Sequence, residues 1–185
     1  MKLSVIDFET ANASAASACS IGIIVIDEGV VLHEAVHLIQ PHRSVRYFSP
    51  ENIAIHGIEP EMVANQPEFD ELWPQLYPWL DKGVVAAHHA PFDVGVLNAL
   101  LSLYGLSKPL CTVIDTVEIA RKVYPHLPNH RLNTVCNYLQ IPLNHHEALS
   151  DARGAALILL NAMAYLNDYD LGSLIDHLRL KEIVL

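Results

Sequence analysis

The spacing of apolar residues changes period along the chain, and each change marks an element. Leu3 to Phe8 is an apolar run with β-branched members and predicts a strand. Small polar residues follow from Ala11 to Ser17. Two further strand-like runs, Ile21 to Ile26 and Val30 to Ile39, flank Asp27-Glu28-Gly29. Apolar runs around a turn with Asp and Gly predict a β-hairpin. The second run partly alternates, as a strand with one wet face does.

Pro41 to Pro50 is irregular, and helix starts are expected near Ser49–Ile53 and at Glu59–Met62, where Pro60 suits a first turn. Phe69, Leu72, Trp73, Leu76, Tyr77 and Leu80 fall at helical spacing. They predict an amphipathic helix, although Pro74 and Pro78 count against a regular one. Val84–Ala87 reads as a short buried strand, and Asp93 to Tyr104 as a helix closed by Gly105. Thr112–Asp115 is another strand, with a helix running on to about Val123. Helices follow over Arg131–Leu139, Glu147 to about Leu166, and Leu171–Leu180. A hairpin opening followed by strand–helix alternation predicts an α/β fold, a mixed central β-sheet flanked by α-helices. No repeat, low-complexity stretch or linker interrupts it. Residues 1–185 therefore read as one domain, with a core over about 3–166 and a helical tail over 167–185.

Composition supports this. With 51% apolar and 17% charged residues the chain can bury a sizeable core, which excludes disorder. Cys19, Cys111 and Cys136 have no paired metal spacing and read as the reduced thiols of a cytoplasmic protein. The N-terminus has no signal-peptide pattern, and no apolar run is long enough to span a bilayer, so no membrane association is expected. The formal charge of −10 opposes affinity for phosphates, which normally comes from Lys and Arg. The basic residues are uneven, however: Arg121, Lys122, His126, His130 and Arg131 lie close together.

The candidate chemistry is carried by four carboxylates in three clusters. Asp7 and Glu9 lie two apart at a strand end, on one face, where they can hold one metal ion together. A strand end reaching solvent carries acids for no such reason. Asp93 follows a buried strand and opens a helix, which its carboxylate can also simply cap. Phe92 beside it suits stacking on a base or packing in the core. His146 and Asp151 are five apart, so they meet only if His146 precedes the helix. A loop histidine there can take a proton from water near neutral pH. Each cluster falls at a strand end or helix start, where α/β proteins place their chemistry. Converging acids are costly unless a cation lies between them. Two divalent cations about 4 Å apart form a phosphodiester-cleaving device.

Asp7-Phe8-Glu9-Thr10, then His88-His89-Ala90-Pro91-Phe92-Asp93, then His146-Glu147-Ala148-Leu149-Ser150-Asp151 resemble, in this order, the motifs of the DEDDh exonucleases. These are the DnaQ-like 3′–5′ exonucleases, the family of the DNA polymerase III epsilon proofreading subunit. Ile55-His56-Gly57-Ile58 and Asp115-Thr116 also resemble family segments, and the likeness covers about Leu3 to Leu166. The resemblance implies an RNase H-like fold and two divalent ions, Mg²⁺ or Mn²⁺. It places metal ligation on Asp7, Glu9, Asp93 and Asp151 and the general base on His146. It places Thr10, His56, Phe92 and His89 near the substrate, although the family often has Asn at the position of His89.

The function so implied is hydrolysis of terminal phosphodiesters of DNA from the 3′ end, releasing nucleoside 5′-monophosphates. The partner is then a nucleic acid with a free 3′ end, single-stranded DNA foremost, with a DNA polymerase as a conceivable protein partner. Two other readings stand beside it. One is an RNA exonuclease similar to oligoribonuclease or RNase T, told apart by contact with the 2′-hydroxyl. The other is a non-catalytic, polymerase-associated subunit that binds nucleic acid. A metal-binding domain with no nucleic-acid role draws on the −10 charge but leaves the motif order unexplained.

Overall fold

The computed structural model describes residues 2–185. Strand β1 (Leu3–Thr10) pairs antiparallel with β2 (Ala18–Asp27), which pairs antiparallel with β3 (Val30–Leu38). Asp27, Glu28 and Gly29 make the turn, with Glu28 and Gly29 at positive φ as a tight hairpin requires. Helices α1 (Pro50–His56), α2 (Pro60–Val63) and α3 (Phe69–Leu80) lead to β4 (Val84–Ala87), which pairs parallel with β1. Then come α4 (Ala90–Tyr104), β5 (Thr112–Asp115), parallel to β4, and α5 (Thr116–Val123). Helices α6 (Leu132–Tyr138), α7 (Ala148–Leu166) and α8 (Leu171–Leu178) precede β6 (Ile183–Val184). The sheet order is β3-β2-β1-β4-β5-β6.

The mixed sheet flanked by helices is as expected. Strand β6 is not anticipated, because two residues carry no readable period. It lies antiparallel on the outer edge of β5, Ile183 opposite Val113. Helix α4 begins at Ala90, three residues before the expected start, because Pro91 fits the first turn of a helix. Both prolines of α3 are accommodated, and Leu72, Trp73, Leu76 and Leu80 are all buried.

Each face of the sheet has its own core. Leu3, Val5, Ile24, Ile26, Val84 and Ala86 face α5, α6, α7 and α8. Ile6, Phe8, Ile21, Ile23 and Val85 face α3 and α4. A smaller core of Ala11, Cys19, Phe48, Ile58 and Val63 seats α1 and α2. By the period of two, Asp7 and Glu9 continue the face of Leu3 and Val5 beyond the point where apolar cover ends.

Candidate active site

Strand β1 outruns its parallel partner: the β1–β4 register ends at Val5–Ala86, leaving the amide of Phe8 without a sheet partner on that side. Asp93, in the first turn of α4, takes that place. Its Oδ1 accepts the Phe8 N–H at 2.9 Å. The carboxylate is therefore tied to the end of β1, and the N-cap of its own helix is His89 at φ 74°.

Asp151 arrives from the opposite layer on α7, which lies across β1 and β2 at van der Waals limits. Gly22 faces Asp7 in the β1–β2 register. A Cβ there would stand 2.2 Å from the Ala148 carbonyl oxygen and 2.5 Å from the Leu149 nitrogen. Only glycine leaves room for the first turn of α7 to rest on the strand backbone. That seat brings ligand oxygens of Asp7, Glu9 and Asp151 within 4.8 Å of one another.

The two oxygens of Asp151 differ. Oδ2 accepts the backbone N–H of His146 at 3.0 Å and the His145 Nδ1 hydrogen at 2.9 Å. Oδ1 is buried and has no hydrogen-bond partner. The loop that delivers both histidines is stapled by Asn144, whose N–H donates to Ser150 Oγ at 2.8 Å and whose Nδ2 donates to Glu147 Oε2 at 3.0 Å. His146 does precede the helix, as its meeting with Asp151 required. It takes φ 70° and stacks on His145 with ring centroids 3.9 Å apart.

The acids strain one another electrostatically. Burial, then Asp93, Asp151 and Glu9, push Asp7 well above the usual carboxylate range. Burial and Asp151 push Glu9 up to about 8. Burial also lifts Asp93 to about 8, against the lowering pull of the Phe8 amide. Burial and the His145 ring push His146 down, while Asp151 pulls it up.

A cleft of about 550 Å³ opens over the cluster, lined by Asp7, Glu9 and Asp151 together with His89, Phe92, His145 and His146. Phe92 is 46% exposed on its rim, which excludes a core role for it. The other two expected substrate contacts lie elsewhere. Thr10 is buried and lines no part of this cleft; its carbonyl accepts Asn52 Nδ2 at 2.7 Å, and the same nitrogen lies 3.4 Å from its hydroxyl. His56 lines a neighbouring hollow of about 410 Å³ that shares His145 and His146 with the cleft. Its Nε2–H donates to the Thr10 carbonyl at 3.2 Å and its Nδ1 accepts the Ile58 N–H at 2.9 Å. Both nitrogens are therefore occupied, and the ring anchors α1 to the end of β1. Burial lowers its pKa, in keeping with that neutral form.

His145 is the residue that sequence reasoning passed over. Its only signal is the doubled histidine. His88 resolves as structural: its Nε2–H donates to the His130 carbonyl at 3.0 Å, its Nδ1 lies 2.9 Å from Thr116 Oγ1, and burial drives its pKa to about 4.

The donor set fits hard divalent cations. It is made of carboxylate oxygens, it carries more negative charge than it can hold unaided, and one buried oxygen lacks any partner. Such a cluster at the open end of a mixed sheet is a site for metal ions, the arrangement that a metal-dependent nuclease uses on a phosphodiester.

The sequence profile of the exonuclease family matches residues 4–159, and the chain belongs to that family; its motifs resemble those of the DEDDh group. DNA polymerase III PolC-type of Bacillus cereus is 32% identical over 162 residues, which are 86% of this chain and 11% of that protein. The Bacillus subtilis PolC-type polymerase is 32% identical over 163 residues, again 86% and 11%. The chain thus spans about a tenth of the length of these relatives. Among solved structures, Exonuclease X in complex with 5′ overhanging duplex DNA superposes with a TM-score of 0.74 at 24% identity, over 95% of this chain and 99% of that one. The nuclease domain of 3′hExo bound to rAMP, a DEDDh family member, gives 0.74 at 16% identity, over 98% and 96%. The fold is RNase H-like, as the motifs implied. No helix among the described residues is long and apolar enough to cross a membrane.

Proposed function

We propose that this protein removes nucleoside 5′-monophosphates from the 3′ end of single-stranded DNA, with Asp7, Glu9, Asp93 and Asp151 holding two divalent cations, Mg²⁺ or Mn²⁺. The observation that carries this reading is the convergence of Asp7, Glu9 and Asp151 on one cleft, with Asp151 Oδ1 buried and unpartnered; Asp93 lies buried behind them, near enough to raise the pKa of Asp7. When bound, the cations activate water and offset the charge of the scissile phosphate.

The chain's own groups do the rest. Asp151 commits Oδ2 to the His145–His146 loop and keeps Oδ1 for the cation site. Asp93 is held in place by the Phe8 amide. His146 is the general base: its exposed ring lines the cleft and takes a proton from the attacking water at a ring nitrogen. The water oxygen bonds to phosphorus as the phosphorus–O3′ bond breaks; the O3′ left on the strand takes a proton from solvent, and the released nucleotide keeps its 5′-phosphate. His89 and Phe92, on the cleft wall, meet the terminal nucleotide, Phe92 by stacking. DNA is favoured as the polymer because the relatives at 32% identity are DNA polymerases. The same likeness makes a DNA polymerase the protein partner to test by co-purification.

The test is cleavage of a 5′-labelled single-stranded DNA oligomer and its RNA counterpart with Mg²⁺, Mn²⁺ or EDTA. A ladder shortening from the 3′ end, abolished by EDTA and by Asp93→Ala, is expected, with DNA cut faster. Faster cutting of RNA transfers the reading to an RNA exonuclease. No cleavage of either polymer by the unaltered protein overturns it. His146→Ala should slow turnover by about 10²–10⁴-fold while Mn²⁺ affinity stays within about twofold. Full activity in that variant sinks the base assignment.

A further inference from the structure

The basic residues between positions 121 and 131 are sorted by the fold into two groups. Lys122 is engaged elsewhere: its Nζ donates to the carbonyls of Leu178 at 2.6 Å and Arg179 at 2.8 Å, and it pairs with Glu118 at 2.8 Å. His126 packs edge-on against Tyr138, and the His130 ring donates through Nε2–H to the Tyr124 carbonyl at 3.0 Å. Arg121 and Arg131 remain. Neither forms an ion pair among the described residues, and both line the cleft that holds the acids.

Their placement is firm. Arg121 lies one helical turn beyond Val117, and the two turn the same face of α5 to the cleft. Arg131 is the N-cap of α6; its N–H donates to Asn129 Oδ1 at 3.1 Å, which also accepts the Thr134 hydroxyl at 2.8 Å. The neighbouring His130 carbonyl is tied to His88, the residue that follows β4. The loop is thus fastened to the strand end from which α4 and Asp93 depart.

Arg43 and Arg179 also form no ion pair among the described residues, but only Arg121 and Arg131 of the chain's arginines line the cleft that holds the acids. The cleft therefore carries two guanidinium groups as well as the acids. Acids that hold cations have no need of them. A strand of phosphates leading away from the acids does, and a guanidinium fork suits a phosphate.

We propose that Arg121 and Arg131 grip the phosphates on the 5′ side of the scissile bond, so that a single polynucleotide strand leaves the acid cluster along the α5–α6 wall. This rests on the exonuclease reading, and it adds a strand path and a dependence on substrate length. Neither arginine touches the reacting atoms; both are binding and positioning residues.

The first readout needs no turnover: fluorescence anisotropy of 5′-labelled dT12 with the full chain in Ca²⁺, across a salt series. The Arg121→Gln/Arg131→Gln double variant should bind about tenfold more weakly, and its log K against log salt slope should fall by about 1.4, two contacts at about 0.7 each. Arg43→Gln/Arg179→Gln, a double variant of two exposed arginines outside the cleft, controls for net charge and should keep the slope. The second readout is kcat and KM on oligomers of two, four, eight and twelve nucleotides in Mg²⁺. The double variant's deficit should grow with length and fall on KM. Binding of dT12 and a salt slope equal to those of the unaltered protein, or an equal loss at every length, overturns the proposal. Firm binding of dT12 through the arginines without cleavage by the unaltered protein leaves the strand path standing and removes the exonuclease reading.

Discussion

Asp151 divides its two oxygens between two tasks. With Oδ2 saturated by His145 and the His146 amide, its orientation is set before any ligand arrives. Removing one donor from such an outer partner costs about 10–100-fold in metal affinity or activity. His145→Ala should therefore lower Mn²⁺ affinity and kcat by about that factor. His145→Asn, whose side-chain N–H can occupy the place of Nδ1–H, should recover most of it. Equal titrations for the Ala and Asn variants would show that the ring matters only as bulk against His146. The meeting of Asp7, Glu9 and Asp151 is legible in sequence because strand ends and helix starts confine them to few directions; the roles of these acids, Asp93 and His146 are what the order of the three motifs implies. The role of His145 is not legible, because it rests on one hydrogen bond made possible by a positive φ at the next residue. The occupied ring of His56 is hidden for the same reason: its partners, Thr10 and Ile58, are backbone groups that no side-chain pattern records.

Strands and helices place these groups through one close approach, the seat of α7 on β2. At Gly22 the obstacle to a side chain is backbone, which no rotamer change can move aside. Gly22→Ala should destabilise the protein by on the order of 3 kcal/mol. It should also reduce activity in the still-folded fraction, since Asp151 withdraws from Asp7 and Glu9. Urea denaturation combined with activity assays below the transition checks both; unchanged stability with full activity would mean α7 is seated some other way. Hairpin, sheet and long helices are readable because their periods run over many residues. The start of α4 and the strand β6 escape because a first turn and a two-residue pairing are decided by partners far along the chain.

For the molecule as a whole, the acid cluster sets how stability depends on pH. Glu9 and Asp93 have ordinary values near 4 in an unfolded chain and values of about 8 in the fold. Below pH about 4 both are protonated in either state and no penalty arises. From there to about 8 the unfolded chain gives up protons that the fold retains, so stability falls; above that the loss is complete. Thermal melting in EDTA should show Tm decreasing across that window. Mg²⁺ should raise Tm little at its acid end and most at its alkaline end, because a ligand that prefers the ionised cluster stabilises only the fold. A Tm in EDTA that is flat or rising between pH 5 and 8 would contradict the crowding of the carboxylates.

The acids are also far apart in the order of synthesis. Asp7 and Glu9 belong to the first strand and Asp93 to the helix after β4, but Asp151 and both loop histidines come only with α7, after every strand but the last. The cluster is therefore closed last: the oxygens of Asp7 and Glu9 gain their third neighbour only when α7, the longest helix and the last element to bring an acid, rests on Gly22.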